Sequence, residues 1–154
     1  MDEFAPPTDQ QRDAARSVLV GWLDEVTNNP VVADVVEDTE TDVDRWFVRV
    51  NGEAKDVYSV WFELGQRTLR YETYVMPAPE ENHAAFYEQL LVRNDGFREL
   101  AFTIGPEKAV FLKGRLDLVH LDDEALDRIL GSIYSAIERC FQPALRVGFA
   151  SRFT

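Results

Sequence analysis

Two histidines, His83 and His120, and a single cysteine, Cys140, are the residues of this chain best suited to nucleophilic, acid–base or metal chemistry near neutral pH. His120 has Asp117, Asp122 and Asp123 as sequence neighbours, a donor set of the kind that takes a divalent cation. The same aspartates stand where a helix should begin, and helix capping accounts for them without a metal. His83 falls in the first turns of a helical segment, with no partner spaced to position it as an acid or base. Cys140 sits between Ile137 and Phe141 on an apolar stripe, where a thiol packs as a small hydrophobe. The run Asp38-Thr39-Glu40-Thr41-Asp42-Val43-Asp44 sets acids at alternate positions, as a calcium loop does. Such a loop needs Gly at its sixth position and Glu at its twelfth, and those places hold Val43 and Arg49. HExxH, CxxC, GxSxG and GxxxxGK[ST] patterns do not occur. The sequence therefore assigns no catalytic residue, no metal ligand and no cofactor.

The elements that carry these residues belong to a chain of 154 residues with 45% apolar and 29% charged content. That length and balance suit one globular domain with a full core. Sixteen Lys and Arg against 28 Asp and Glu give a formal net charge of −12. No window concentrates the basic residues, so nucleic acid and anionic membrane surfaces are not expected partners. One cysteine excludes an intrachain disulfide. The start Met1-Asp2-Glu3-Phe4-Ala5-Pro6-Pro7 lacks the positive charge and apolar run of a signal peptide, and no apolar stretch reaches a membrane span. A soluble cytoplasmic protein is the expectation.

Hydrophobic periodicity predicts an α+β domain with a helix–strands–helix–strands–helix order. Residues 1–7 form a lead-in. Thr8 and Gln11 make a capping box, and Ala15, Val18, Leu19, Trp22, Leu23 and Val26 draw one helical face up to Asn28-Asn29-Pro30. Strands are expected at Val31–Val36, Arg45–Val50, Val57–Leu64 and Leu69–Val75. Asn51-Gly52 signals a two-residue hairpin and Gly65-Gln66 a second tight turn. Pro77 and Pro79 end this meander. A second helix is expected from about Glu80 to Asn94, then strands at Leu100–Ile104 and Ala109–Lys113. Asp122 should cap a last helix, with a Leu121–Leu126 staple and a stripe from Leu126 to Phe141, closed by Pro143. Residues 144–154 read as a C-terminal tail; Leu145, Val147 and Phe149 alternate in it as in a strand. The whole of 1–154 is one domain.

Alternation also separates the aromatic residues into two sets. Tyr58, Phe62 and Tyr71 share parity with Val60 and Leu69 and read as core. Phe47, Trp61 and Tyr74 fall on the opposite parity, and with Phe149 of the tail they are the candidate protein-binding residues.

The element order, together with the strand Leu69–Val75, the break Met76-Pro77-Ala78-Pro79, the helix through Phe86-Tyr87-Glu88-Gln89-Leu90-Leu91, Asn94 and the strand Leu100–Ile104, resembles the YbjN domain family. That family has a fold like that of type III secretion chaperones. The resemblance covers the chain from about Thr8 to Phe141 and implies a small α+β domain, often dimeric, that binds protein without catalysis. It also carries an association with stress or motility regulation. The sequence reading is thus a non-enzymatic protein-binding or chaperone-like module, possibly regulatory and expected to be a homodimer with a protein client. The alternatives are a small-molecule-binding regulator with a pocket between sheet and helices, and an enzyme with a carboxylate mechanism. So acidic a chain makes no single acid pair informative for the last.

Overall fold

Thr8 and Gln11 open the first helix reciprocally. The Gln11 backbone N–H donates to Thr8 Oγ1 at 3.1 Å and the Thr8 N–H donates to Gln11 Oε1 at 2.8 Å. The structure, a computed structural model, describes residues 5–153; residues 1–4 of the expected lead-in lie outside the described residues. Helix α1 covers Asp9–Glu25 and turns Ala15, Leu19, Trp22 and Leu23 inward. A single 3₁₀ turn, Val26–Asn28, brings it to Pro30. The remaining elements are β1 (Val32–Glu37), β2 (Asp44–Asn51), β3 (Val57–Leu64), β4 (Thr68–Met76), α2 (His83–Asn94), β5 (Ala101–Ile104), β6 (Val110–Asp117) and α3 (Asp123–Gly148). The fold is α+β, with three α-helices and one six-stranded antiparallel sheet among the described residues.

The strands lie in the order β1-β2-β3-β4-β6-β5, so the last hairpin enters the sheet in reverse and leaves β5 at the edge. Register makes the sheet two-sided. One row across the strands runs Val35, Val48, Val60, Thr73, Leu112 and Phe102. Val48, Val60 and Leu112 in it have no exposed surface, because α1 and α3 cover this face. Thr73, the one buried polar residue among the described residues, donates its hydroxyl to the Ser59 carbonyl at 2.8 Å. The neighbouring row runs Val36, Phe47, Trp61, Glu72, Lys113 and Ala101 and faces away from the helices.

Three local expectations are corrected. The Asn51-Gly52 hairpin is not a two-residue turn. Asn51 pairs with Val57, leaving a five-residue loop, and no glycine has a positive φ. Glu138 of α3 shapes this loop: its carboxylate accepts from the N–H groups of Glu53 at 2.9 Å and Ala54 at 3.0 Å. Gln142 Nε2 donates to the Ala54 carbonyl at 2.9 Å.

Helix α2 begins at His83, not near Glu80. The segment before it is occupied otherwise: the N–H groups of Glu80 and Glu81 donate to the Gly148 carbonyl at 2.9 and 3.1 Å. Asn82, at φ 53°, donates its amide to the Val147 carbonyl at 2.9 Å.

Those same bonds explain the third correction. Pro143 does not close the last helix; α3 runs through it to Gly148, so the boundary of the expected tail falls inside a helix. Proline removes one intrahelical donor, but Ala144 and Gly148 keep the inward stripe of Ile137 and Cys140 going, and the 80–82 segment takes the terminal carbonyls. The alternation of Leu145, Val147 and Phe149 is helical in the structure.

Candidate protein-binding face

The open face of the sheet brings together three of the four sequence candidates. Phe47 and Trp61 are directly paired on β2 and β3, and both are half-buried. Tyr74, 45% exposed, lies further along β4 and meets Phe111 of β6 edge-on, with ring centroids 5.7 Å apart. Trp61 lies under two guanidinium groups, Arg45 at 5.2 Å and Arg70 at 6.0 Å from its ring centroid. Both arginines also pair with Glu63, Arg70 at 3.4 Å. A guanidinium over an indole face contributes about 0.5–1 kcal/mol when exposed. The fourth candidate, Phe149, is corrected: it is 5% exposed. It caps α3 and packs into the body of its own chain, with the apolar side of the tail, and so does not reach the sheet face.

Phe111, Lys113 and Arg115 complete the face from β6, and sequence reasoning missed them. The register carries Arg45, Glu63, Arg70 and Arg115 in one row and Trp61, Glu72 and Lys113 in the next. The missing signal was the sheet order: only β6 lying beside β4 brings Phe111 to Tyr74. Charge sets this face apart. Arg45, Arg49, Arg70, Lys113 and Arg115 are matched on it by Asp34, Asp38, Glu63, Glu72 and Asp117, so the face is balanced in a chain whose net charge is −12. The acid excess thus lies off this face.

Lys55 borders the face. Its ammonium donates to the carbonyls of Tyr74 and Val75, each at 2.8 Å, and stands over the rings of Tyr74, Tyr58 and Phe141 at 5.0 to 6.0 Å. Burial pulls its pKa down to about 8, and the carbonyls and ring faces keep it charged at neutral pH. Burial pushes the phenols of Tyr58 and Tyr71 up, with Glu138 adding to the shift at Tyr58 and Glu99 at Tyr71. A raised phenol pKa adds nothing to the pH dependence below about pH 10 and costs stability above it, as the unfolded chain ionises first. Titration of tyrosinate absorbance is therefore expected to leave Tyr58 and Tyr71 protonated until the chain unfolds in alkali. Ionisation of all five tyrosines with the fold intact would contradict this burial.

The remaining chemistry-bearing residues stay apart. His83 and His120 are exposed on different elements. Asp122 caps α3, accepting from the Ala125 N–H at 2.8 Å. Cys140 is buried, and burial pushes its thiol up. Among the described residues no group of three or more His, Cys, Asp or Glu is placed to hold a metal, and no helix is long and apolar enough to cross a membrane. An apolar cleft of about 280 Å³ opens between α2 and β5, lined by Tyr87, Leu90, Leu91, Phe102 and Ile104. No charged side chain lines it.

This two-sided, helix-backed sheet is matched by a family model over residues 21–146, that of YbjN, described as "Putative bacterial sensory transduction regulator". The chain belongs to the YbjN family. It is similar to an uncharacterised protein of Mycobacterium leprae (strain TN), 31% identical over 107 residues, which are 70% of this chain and 58% of the relative. An uncharacterised protein of Mycobacterium tuberculosis (strain H37Rv) is 30% identical over 104 residues, 68% of this chain and 57% of that protein. The chain thus spans less than three fifths of the length of these relatives.

Proposed function

We propose that this chain is a non-enzymatic, regulatory protein-binding module of the cytoplasm, chaperone-like in action, and that it docks an apolar segment of a protein partner on the open sheet face. The observation that carries this reading is the joint placement of Phe47, Trp61, Tyr74 and Phe111 on one face whose charges balance, on an otherwise acidic chain. Aromatic anchors give a partner apolar area, and the charged pairs around them form a polar rim. Reversing Arg70 and Arg115 together to Glu, which turns the balanced face acidic and takes one cation off Trp61, is expected to weaken partner binding about tenfold and to change its salt dependence. Unchanged affinity and salt dependence would remove the polar rim from the proposal.

The same reading makes the chain a homodimer, joined through the β5 edge. A two-fold contact sets like against like. The β1 edge carries Asp34, Glu37 and Asp38 and would repel its copy, whereas β5 consists of Ala101, Phe102, Thr103 and Ile104. Ile104 is 58% and Leu91 68% exposed beside the apolar cleft. Light scattering should give twice the 17.6 kDa chain mass, and Leu91→Arg with Ile104→Arg should give the single-chain mass. A monomer at all concentrations, or a dimer unaffected by the pair, would contradict this assignment.

A further inference from the structure

Ser132, Ser135 and Arg139 lie three and four residues apart on α3 and so share one helical face. That face meets the C-terminal end of α2, and the two helices enclose a cleft of about 470 Å³ that Arg93, Phe97 and Cys140 also line. No carboxylate lines this cleft. Seven arginines of the chain hold a carboxylate in an ion pair. Arg93 and Arg139 make no ion pair among the described residues, although acids outnumber bases by 28 to 16. Both guanidiniums also act electrostatically on the Cys140 thiol, drawing it down against its burial. Their fields therefore converge on one wall of the cleft.

We infer that this cleft is a binding site for a small phosphorylated metabolite, with Arg93 and Arg139 holding the phosphate and Ser132 and Ser135 donating to its oxygens. Guanidinium pairs match phosphate geometry, and hydroxyls supply the further donors an oxyanion takes. The carbonyl end of α2 works against an anion here. It is muted, because the N–H groups of Asp95, Gly96 and Phe97 cover the carbonyls of Val92, Arg93 and Asn94. The cleft is larger than a phosphate ion, and the Phe97 ring gives an apolar wall for the remainder of the ligand. The site lies on the helical side of the molecule, so it stands or falls independently of the sheet face.

Calorimetric titration of the full chain with adenosine monophosphate, inorganic phosphate and adenosine, at matched ionic strength in chloride, tests the inference. The monophosphate should bind, inorganic phosphate more weakly, and adenosine least. Arg93→Gln and Arg139→Gln should each weaken monophosphate binding about tenfold, the loss of one charge-assisted hydrogen bond. Cys140, the single cysteine, locates the ligand: alkylation by neutral N-ethylmaleimide should slow when the monophosphate is bound. No binding heat with either phosphate, or binding that survives both substitutions together, overturns the assignment. Adenosine binding as well as its monophosphate also overturns it, since the phosphate would then contribute nothing.

Discussion

Phe62→Ala is expected to cost about 3–5 kcal/mol of unfolding free energy, while Trp61→Ala, one residue away and larger by volume, costs about 1–2 kcal/mol. Phe62 has no exposed surface. It meets Trp22 of α1 edge-on at 5.4 Å between centroids and Tyr71 at 6.2 Å. Truncating it opens a void at the centre of the core, and the rigid sheet cannot collapse to fill it. Trp61 loses its contacts with Arg45 and Arg70, and those groups remain solvated. Urea unfolding of the two variants beside the parent measures both. Equal costs would mean that a helix or loop covers the open face as well.

This contrast was legible in the sequence because a strand has a side-chain period of two, and Tyr58, Val60, Phe62 and Leu64 alternate without a break. Caps and stripes were equally legible: Thr8 with Gln11, and Asp122 before Leu126, are local chemistry with local causes. What the sequence hid was non-local. Asn51-Gly52 favours a tight turn by its own conformational freedom, but the Glu138 carboxylate, 85 residues away, accepts from the Glu53 N–H and opens the loop. Pro143 is a helix breaker unless later carbonyls find partners, and here Glu80, Glu81 and Asn82 supply them. Of the candidate site, Phe47, Trp61 and Tyr74 followed from parity. Phe149 packs in the core at the end of α3 instead of on the face, and Phe111, Lys113 and Arg115 depended on β6 lying beside β4.

Gly114→Ala should be the most damaging small substitution, at about 3 kcal/mol, the upper range for overpacking a filled site. Gly114 faces Tyr71 in register. A methyl group there would fall inside the Glu99 carbonyl oxygen and 2.7 Å from the Tyr71 ring. Tyr71 donates its hydroxyl to that same carbonyl at 2.8 Å, so one added carbon displaces the ring and breaks the bond. Glu99 also holds Arg128 of α3 at 3.0 Å, which carries the disturbance to the helix layer. Gly131→Ala is the matched control. Gly131 is exposed within α3 with nothing within 4 Å of the added carbon, and the change should stabilise by about 0.5–1 kcal/mol through helix propensity. Thermal melts of the two variants should therefore move in opposite directions. A Gly114→Ala melt at or above that of the parent would show that the β4–β6 contact is looser than this geometry.

The proposal that the open sheet face is the partner surface is tested most directly by comparing partner retention and thermal stability in one double variant. Phe47→Ala with Trp61→Ala, immobilised beside the parent chain and a helical-side control such as Asp24→Ala, would be challenged with native lysate and the retained proteins identified by mass. The account predicts that a specific protein is held by the parent and by the control, and is lost from the double variant while that variant still melts cooperatively as a folded chain. Retention of the same protein by the folded double variant would contradict the assignment of Phe47 and Trp61 to partner binding.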